Sequence, residues 1–147
     1  SRPGGSRRRV VGLLHFGDST GRNRLRYHVR MGYFVYMVRC EDDSYYTGIA
    51  SDVVRRMAEH RSQTGKCAKY TRTHRVTELV GLWTAPDRSL ASALEYRIKR
   101  LSRVEKEVLL ADPCRADSLV PARGEGVVTF GCVDAAERAR LWEASRG

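Results

Sequence analysis

The segment from Tyr33 to Ile49 constrains the fold most, because two strand-forming runs in it flank a short polar turn. Tyr33–Cys40 is aromatic and β-branched, which predicts a buried strand. Glu41–Ser44 has the composition of a four-residue turn, and Tyr45–Ile49 predicts a second strand. The two runs therefore predict an antiparallel hairpin at the start of the ordered part of the chain.

Helices and one further strand are predicted after the hairpin. The predicted elements are a helix capped by Ser51, a polar loop over 62–75, a strand over Val76–Ala85, a helix capped by Ser89, and a short helix from a capping box at Ser102 to about Leu110. The resulting order is ββαβαα. It predicts an α+β fold in which a small three-stranded antiparallel sheet is flanked by helices.

Basic charge is concentrated near the beginning of the chain. The formal net charge is +10, and residues 1–31 carry eight arginines and a single acid. This part lacks hydrophobic periodicity, which predicts a disordered basic extension. A folded domain is expected over 32–112. Residues 113–147 are expected to be a C-terminal extension, for which the sequence assigns no role.

Two explanations fit the basic extension. Met31 is the first methionine, so one explanation takes it as the natural start and residues 1–30 as upstream sequence. The other takes residues 1–30 as a basic arm that holds nucleic acid and adds salt-sensitive, non-specific affinity. The arm has no interleaved aromatic residues, and this favours the first explanation.

Several classes of protein are excluded by composition. No apolar run approaches the 18 residues that a membrane span needs, and no secretory signal is recognisable, so a cytoplasmic protein without a membrane partner is expected. The cysteines Cys40, Cys67, Cys114 and Cys132 form no C-x-x-C pair and are expected to be separate, reduced thiols.

Four side chains near the hairpin are candidates for chemistry. Tyr36 and Tyr46 lie on adjacent strands, so they can be neighbours at one end of the sheet. Arg56 and His60 are four residues apart and share a face of the first helix, which Gly48 allows to start close to the hairpin. Taken alone, the tyrosines fit buried core positions, and the Arg–His pair fits a solvated face.

Glu95 and a basic loop supply further candidates. Glu95 is followed at i+4 by Lys99, a spacing typical of a surface ion pair. A single carboxylate also suffices for Mg²⁺, which keeps several waters and takes ligands from substrate phosphates. The loop over Lys66–Arg75 has four basic side chains and one aromatic ring, a composition that suits nucleic acid as well as solvent.

Together these residues resemble the GIY-YIG nuclease superfamily, and within it the small stand-alone bacterial branch of YhbQ-like proteins. Phe34 replaces the glycine at the first position of the triplet that gives the family its name. The resemblance covers about half of the chain. It rests on Phe34-Val35-Tyr36, Tyr46-Thr47-Gly48, the helix over Asp52–His60, the loop motif Ala68-Lys69-Tyr70-Thr71-Arg72, and Leu94–Lys99 around Glu95.

The resemblance implies metal-dependent hydrolysis of phosphodiester bonds. On this basis Glu95 would hold one Mg²⁺ or Mn²⁺ ion, and Tyr46 would be the general base for water. Tyr36 would orient water or phosphate, Arg56 would stabilise the transition state, and His60 would shuttle a proton or bind phosphate. Which group is the true base stays open. The expected nucleic-acid contacts are Arg55, Lys69, Tyr70, Arg72 and Lys99.

The function expected from the resemblance is a DNA endonuclease, acting on single-stranded or branched DNA. Repair, recombination, DNA uptake and defence are all compatible pathways, and the sequence leaves the oligomeric state open. One alternative is a non-catalytic nucleic-acid-binding module that keeps the nuclease fold. Another is a nuclease that needs a protein partner, docked through residues 113–147.

Overall fold

An antiparallel sheet is the centre of the structure, a computed structural model that describes residues 32–63, 68–121 and 129–146. Across these residues the sheet has four strands in the spatial order β2-β1-β3-β4. They are β1 (Tyr33–Cys40), β2 (Tyr45–Ala50), β3 (Val76–Ala85) and β4 (Gly131–Cys132). The prediction of a three-stranded sheet is therefore wrong, because the sheet has a fourth strand, β4. The predicted basic extension over 1–31 lies outside the described residues.

The central position of β1 in the sheet explains why the sequence of this strand is almost continuously apolar. It pairs with β2 on one side and with β3 on the other, and its two faces pack into different core clusters. Phe34, Tyr36 and Val38 belong to one cluster, and Val35 and Met37 belong to the other. A strand covered on both faces has no solvent side, so it needs no polar alternation.

Helices pack against both faces of the sheet. They are α1 (Val53–Ser62), α2 (Lys69–Thr73), α3 (Arg88–Lys99), α4 (Arg103–Ala111), a 3₁₀ helix (Pro113–Ser118) and α5 (Ala135–Ala144). Within the described residues, no helix is both long enough and apolar enough to cross a membrane.

The helix starts differ in detail from the prediction. The capping box at Ser102 is present. However, α1 is capped by Asp52, not Ser51, and α3 is capped by Asp87, not Ser89. Asp and Ser are both good N-caps, so residue type alone does not decide between neighbouring candidates. The carboxylates of Asp52 and Asp87 accept backbone N–H groups three residues further on, at 3.1 and 2.8 Å.

The C-terminal part is packed onto the domain. The indole N–H of Trp83 donates to the carbonyl of Pro113 at 2.9 Å, and β4 extends the sheet along β3. Phe130 joins the core cluster around Trp83, while Leu141 of α5 joins the cluster around Tyr36. The sequence predicts only a C-terminal extension of unassigned role over 113–147. In the structure it completes both faces of the core.

Candidate active site

Tyr36 and Gly48 face each other across the hairpin and fix the first element of the site. They are register partners on β1 and β2, and Tyr36 is only 1 % exposed. A Cβ at position 48 would overlap the Tyr36 hydroxyl and the ring carbon that bears it. Gly48 is therefore required by the close approach of the tyrosine side chain, whereas the sequence analysis assigns it to the start of the first helix close to the hairpin.

Helix α1 brings Arg56 and His60 to the Tyr36 hydroxyl. His60 Nε2 lies 2.7 Å from Tyr36 Oη, and Arg56 Nε donates to the same oxygen at 3.3 Å. The other ring nitrogen, His60 Nδ1, lies 2.7 Å from Thr71 Oγ1 on α2. The Thr71 hydroxyl in turn donates to the carbonyl of Ala68 at 3.0 Å. The predicted shared face of Arg56 and His60 does point toward the hairpin.

The directions of these hydrogen bonds follow from the chemistry of their ends. A carbonyl oxygen can only accept a hydrogen bond, so the single hydroxyl proton of Thr71 is donated to the carbonyl of Ala68. A guanidinium can only donate, so Tyr36 Oη must accept from Arg56. Thr71 must then accept from His60 Nδ1–H, which leaves His60 Nε2 to accept the Tyr36 proton. Tyr36 Oη is thereby free to accept from Arg56. One tautomer of His60 satisfies every member of the chain.

Burial sets the ionisation of Tyr36 and His60. Desolvation raises the pKa of the Tyr36 phenol well above its usual range, and the Arg56 hydrogen bond opposes this only in part. Burial, assisted by the Arg56 charge, lowers the pKa of His60 to about 4. Both groups are therefore neutral at pH 7, as the directed hydrogen-bond chain requires.

Tyr46, Lys99 and Glu95 form the more open side of the site. The Tyr46 ring lies 6.4 Å from that of Tyr36, measured between centroids. Helix α3 packs against both strands of the hairpin, and the field of its Glu95 contributes to the raised pKa of Tyr36. Lys99 Nζ lies 3.2 Å from Glu95 Oε2 and 5.4 Å from the Tyr46 ring centroid. The five predicted catalytic residues are thus brought together.

Glu95 fits a divalent ion only as a single carboxylate ligand. Across residues 32–63, 68–121 and 129–146, no three His, Cys, Asp or Glu side chains cluster as a multi-ligand metal site. The Glu95 side chain is 22 % exposed and already pairs with a cationic ammonium. Mg²⁺ or Mn²⁺ could bind such an oxygen while keeping several waters and accepting substrate phosphate oxygens. The donor set therefore fits an ion that is shared with substrate.

The predicted nucleic-acid contacts fall into two groups. Lys99 and Tyr70 belong to the site itself: Tyr70 stacks on Tyr46 and on His74, with centroid distances of 5.9 and 3.9 Å, and its hydroxyl donates to Ser44. These contacts make Tyr70 part of the wall of the site. The remaining three, Arg55, Lys69 and Arg72, are exposed on α1 and α2, the helices that hold the hydrogen-bond chain.

Two side chains that hydrogen-bond within the candidate site, Glu59 and Thr71, are not singled out by the sequence. Glu59 Oε1 accepts from Arg56 Nη1 at 2.7 Å, so Tyr36 and Glu59 together fix the orientation of the guanidinium. The i,i+3 spacing was the available signal for this pair. Thr71 was seen only as part of a loop motif. Its role depends on α2, a short helix inside what the sequence predicts as a loop.

Comparison with known proteins gives the family. The model of the GIY-YIG catalytic domain matches residues 32–107. UPF0213 protein FN1575 of Fusobacterium nucleatum is 42 % identical over 83 residues, which cover 56 % of this chain and 81 % of that protein. UPF0213 protein VC_A0739 of Vibrio cholerae is 47 % identical over 90 residues, covering 59 % and 85 %.

A solved structure is also similar in sequence. The solution NMR structure of the UPF0213 protein BH0048 from Bacillus halodurans is 44 % identical, covering 54 % of this chain and 82 % of that one, with a TM-score of 0.35. The family match spans the hairpin, α1, α2, β3 and α3, which carry all five predicted catalytic residues. The chain belongs to the GIY-YIG superfamily, in its small bacterial UPF0213 (YhbQ-like) branch.

Proposed function

We propose that this protein is a divalent-metal-dependent endonuclease that hydrolyses phosphodiester bonds in DNA. The observation that carries the proposal is the convergence of Tyr36, Arg56 and His60 in one hydrogen-bond chain, beside Tyr46 and Glu95, inside a GIY-YIG domain. The arrangement combines a cation directed by fixed hydrogen bonds, a phenol and a carboxylate. These groups can stabilise charge on a phosphate, activate water and hold a metal ion, which are roles that hydrolysis of a phosphodiester can use.

Arg56 is the residue proposed to stabilise the pentavalent transition state. Its side chain is 25 % exposed and faces a cleft of about 260 Å³ that is also lined by Arg55 and Glu59. Hydrogen bonds to Tyr36 and Glu59 hold the guanidinium before substrate arrives. A pre-oriented donor contributes to catalysis because no reorganisation is needed when charge develops on the phosphate.

Tyr46 is the proposed general base. It is half-buried, whereas Tyr36 is almost fully enclosed, so Tyr46 is better placed to contact water. The ammonium of Lys99 lies 5.4 Å from the centroid of the Tyr46 ring, on the more open side of the site. Tyr36 stays protonated, because burial raises its pKa, and it acts as a positioning residue for Arg56.

His60 is proposed to position Tyr36. It has no exposed surface and its pKa is lowered to about 4, which supports a neutral hydrogen-bond acceptor over a phosphate-binding cation. Glu95 would hold the Mg²⁺ or Mn²⁺ ion. When bound, the ion would supply positive charge to the scissile phosphate and the leaving 3′ oxygen.

The proposed substrate is single-stranded or branched DNA, used in repair, recombination, DNA uptake or defence. The test is a cleavage panel with single-stranded, branched and duplex DNA in Mg²⁺, with Glu95→Ala as the inactive variant. Cleavage of at least one substrate that disappears in Glu95→Ala is expected. Undiminished cleavage by Glu95→Ala would overturn the mechanism. Binding without cleavage of any substrate would instead favour a non-catalytic module.

The two tyrosines can be separated in the same assay. Loss of a general base costs about 10² to 10⁴ in rate, so Tyr46→Phe is expected to lose kcat by that range without loss of fold. A Tyr46→Phe variant that keeps activity within about tenfold would overturn the assignment of Tyr46 as the general base.

A further inference from the structure

Two cysteines outside the nuclease site lie in contact. Cys114 Sγ on the 3₁₀ helix and Cys132 Sγ on β4 are 3.6 Å apart, and both residues are half-buried. Both are free thiols, as the sequence predicts, but the expectation that they lie apart is wrong for this pair, because β4 folds back beside the 3₁₀ helix. Cys67 lies outside the described residues, and Cys40 is buried elsewhere in the core.

We propose that Cys114 and Cys132 are a site of reversible oxidation, which forms a disulfide between the 3₁₀ helix and β4. A disulfide brings sulfurs to about 2.05 Å, so the pair has to close by about 1.5 Å from the 3.6 Å seen here. Rotation of the two side chains moves the sulfurs on this scale. The site lies beyond residues 32–107, which the family match covers, and does not depend on the proposed nuclease activity.

The reaction balances with hydrogen peroxide as oxidant. The thiolate of one cysteine attacks a peroxide oxygen, the O–O bond breaks, and a sulfenic acid and one water are formed. The sulfur of the second cysteine then attacks the sulfenic sulfur, so that the S–S bond forms and a second water leaves with the thiol proton. Two thiols lose two hydrogens in total, and one peroxide becomes two waters.

The surroundings of the pair favour a disulfide over other chemistry. Two thiolates are two ligands short of a tetrahedral zinc site, and the described part of the chain has no cluster of three metal-ligating side chains. Cys40 is a poorer target for oxidation, because burial raises the pKa of its thiol.

Oxidation would add a covalent cross-link within the C-terminal segment. The 3₁₀ helix is held by the Trp83 bond to Pro113, and β4 by pairing with β3 at Trp83. The backbone N–H of Phe130 also donates to Asp117 at 2.8 Å. A disulfide between Cys114 and Cys132 would join the two segments that cover the Trp83 side of the core, and thereby oppose opening of this edge of the sheet.

The experiment treats the reduced full chain with hydrogen peroxide, blocks the remaining thiols with N-ethylmaleimide and maps the peptides by mass spectrometry. The expected product is a peptide pair joined through Cys114 and Cys132, two hydrogens lighter than the sum of its parts and separated by dithiothreitol. The oxidised protein is expected to melt roughly 5 to 10 °C higher. Cys114→Ser and Cys132→Ser are expected to lose both the link and the shift.

Controls make each outcome decisive. The two serine variants should melt like the reduced wild type under reducing conditions, which shows that they fold. Cys67→Ser should keep the Cys114–Cys132 link. Full alkylation of both thiols after peroxide treatment, a link to Cys40 or Cys67, or a link between two copies of the chain would each overturn the proposal.

Discussion

The Tyr36 hydroxyl lies 2.7 Å from His60 Nε2, and this contact joins the central strand to α1 at the heart of the site. Both residues are almost completely enclosed, and burial keeps both neutral. Because the Tyr36 proton is directed to His60, the phenolic oxygen is available to Arg56. The buried Tyr36–His60 pair therefore holds the more exposed guanidinium of Arg56 in position.

This relationship predicts that Tyr36 acts through Arg56. Tyr36→Phe removes the oxygen that accepts from Arg56 Nε, so kcat is expected to fall about 10²-fold while KM changes little. Arg56→Gln is expected to lose at least as much. In a double-mutant cycle, Tyr36→Phe should cost little more once Arg56 is already Gln. Fully additive losses would show that Tyr36 acts independently of Arg56.

Thr71 is predicted to stabilise the fold through its hydroxyl. In Thr71→Val, His60 Nδ1–H loses its acceptor inside the core, so the free energy of unfolding is expected to fall by about 1 to 3 kcal/mol. Thr71→Ser is the matched control, since it keeps the hydroxyl. Urea denaturation measures both variants, and a loss in Thr71→Val no larger than the loss in Thr71→Ser would contradict the predicted role of the hydroxyl. In the wild type, ¹⁵N NMR is expected to show the Nδ1–H tautomer of His60.

Stability is predicted to fall in mild acid because of His60. Its pKa is about 4 in the folded protein and about 6.5 when unfolded, so the unfolded chain binds the proton first as pH drops. The contribution is complete above pH 6.5 and is lost progressively toward pH 4, with a total of about 3 kcal/mol. Urea denaturation at several pH values checks the size of this loss, and an NMR titration checks the pKa directly.

His74 supplies the control for the acid effect. It is partly exposed and lies at the surface, 3.7 Å from Asp42. His74→Gln is therefore expected to leave the fall between pH 6.5 and 4 in place. A titration that finds His60 protonated near pH 6.5 in the folded protein would contradict the prediction.

The sequence predicted the parts of this protein that depend on local patterns. The hairpin follows from two apolar runs around a polar turn, whereas the roles expected for the site residues rest on the resemblance to the GIY-YIG family and not on spacing alone. Arg56 and His60 share a helix face, so their convergence on Tyr36 required only that α1 start near the hairpin.

The remaining features depend on contacts between distant segments. β4 has only two residues, and it is held by pairing with β3 rather than by its own composition. Arg61 Nη1 donates to the carbonyl of Trp142, 81 residues away, which places α5 against α1. The Cys114–Cys132 contact has the same origin. The spacing of residues along the chain does not predict contacts between segments that are distant in sequence.

Cleavage is predicted to require the carboxylate of Glu95 and a divalent ion. Glu95→Gln keeps the size of the side chain and removes the charge, so a loss of roughly 10²-fold or more is expected in Mg²⁺. Addition of EDTA should abolish cleavage, and Mn²⁺ should restore it. Glu107→Gln is the matched control, because Glu107 lies exposed on α4 in a surface ion pair with Arg103. Equal losses in both variants would argue against a special role for Glu95.

Lys69 and Arg72 are predicted to contact phosphates without contributing chemistry. Both are exposed on α2, whose buried residue Thr71 anchors it to His60. For single-stranded DNA, each neutralised phosphate contributes about 0.7 to the slope of log affinity against log salt. The double variant Lys69→Gln, Arg72→Gln should therefore lower this slope by about 1.4, with kcat at saturating substrate unchanged. Arg146→Gln, two residues beyond the end of α5, is the control and should leave the slope as it is. An unchanged slope in the α2 variant would show that the phosphates follow another path across the surface.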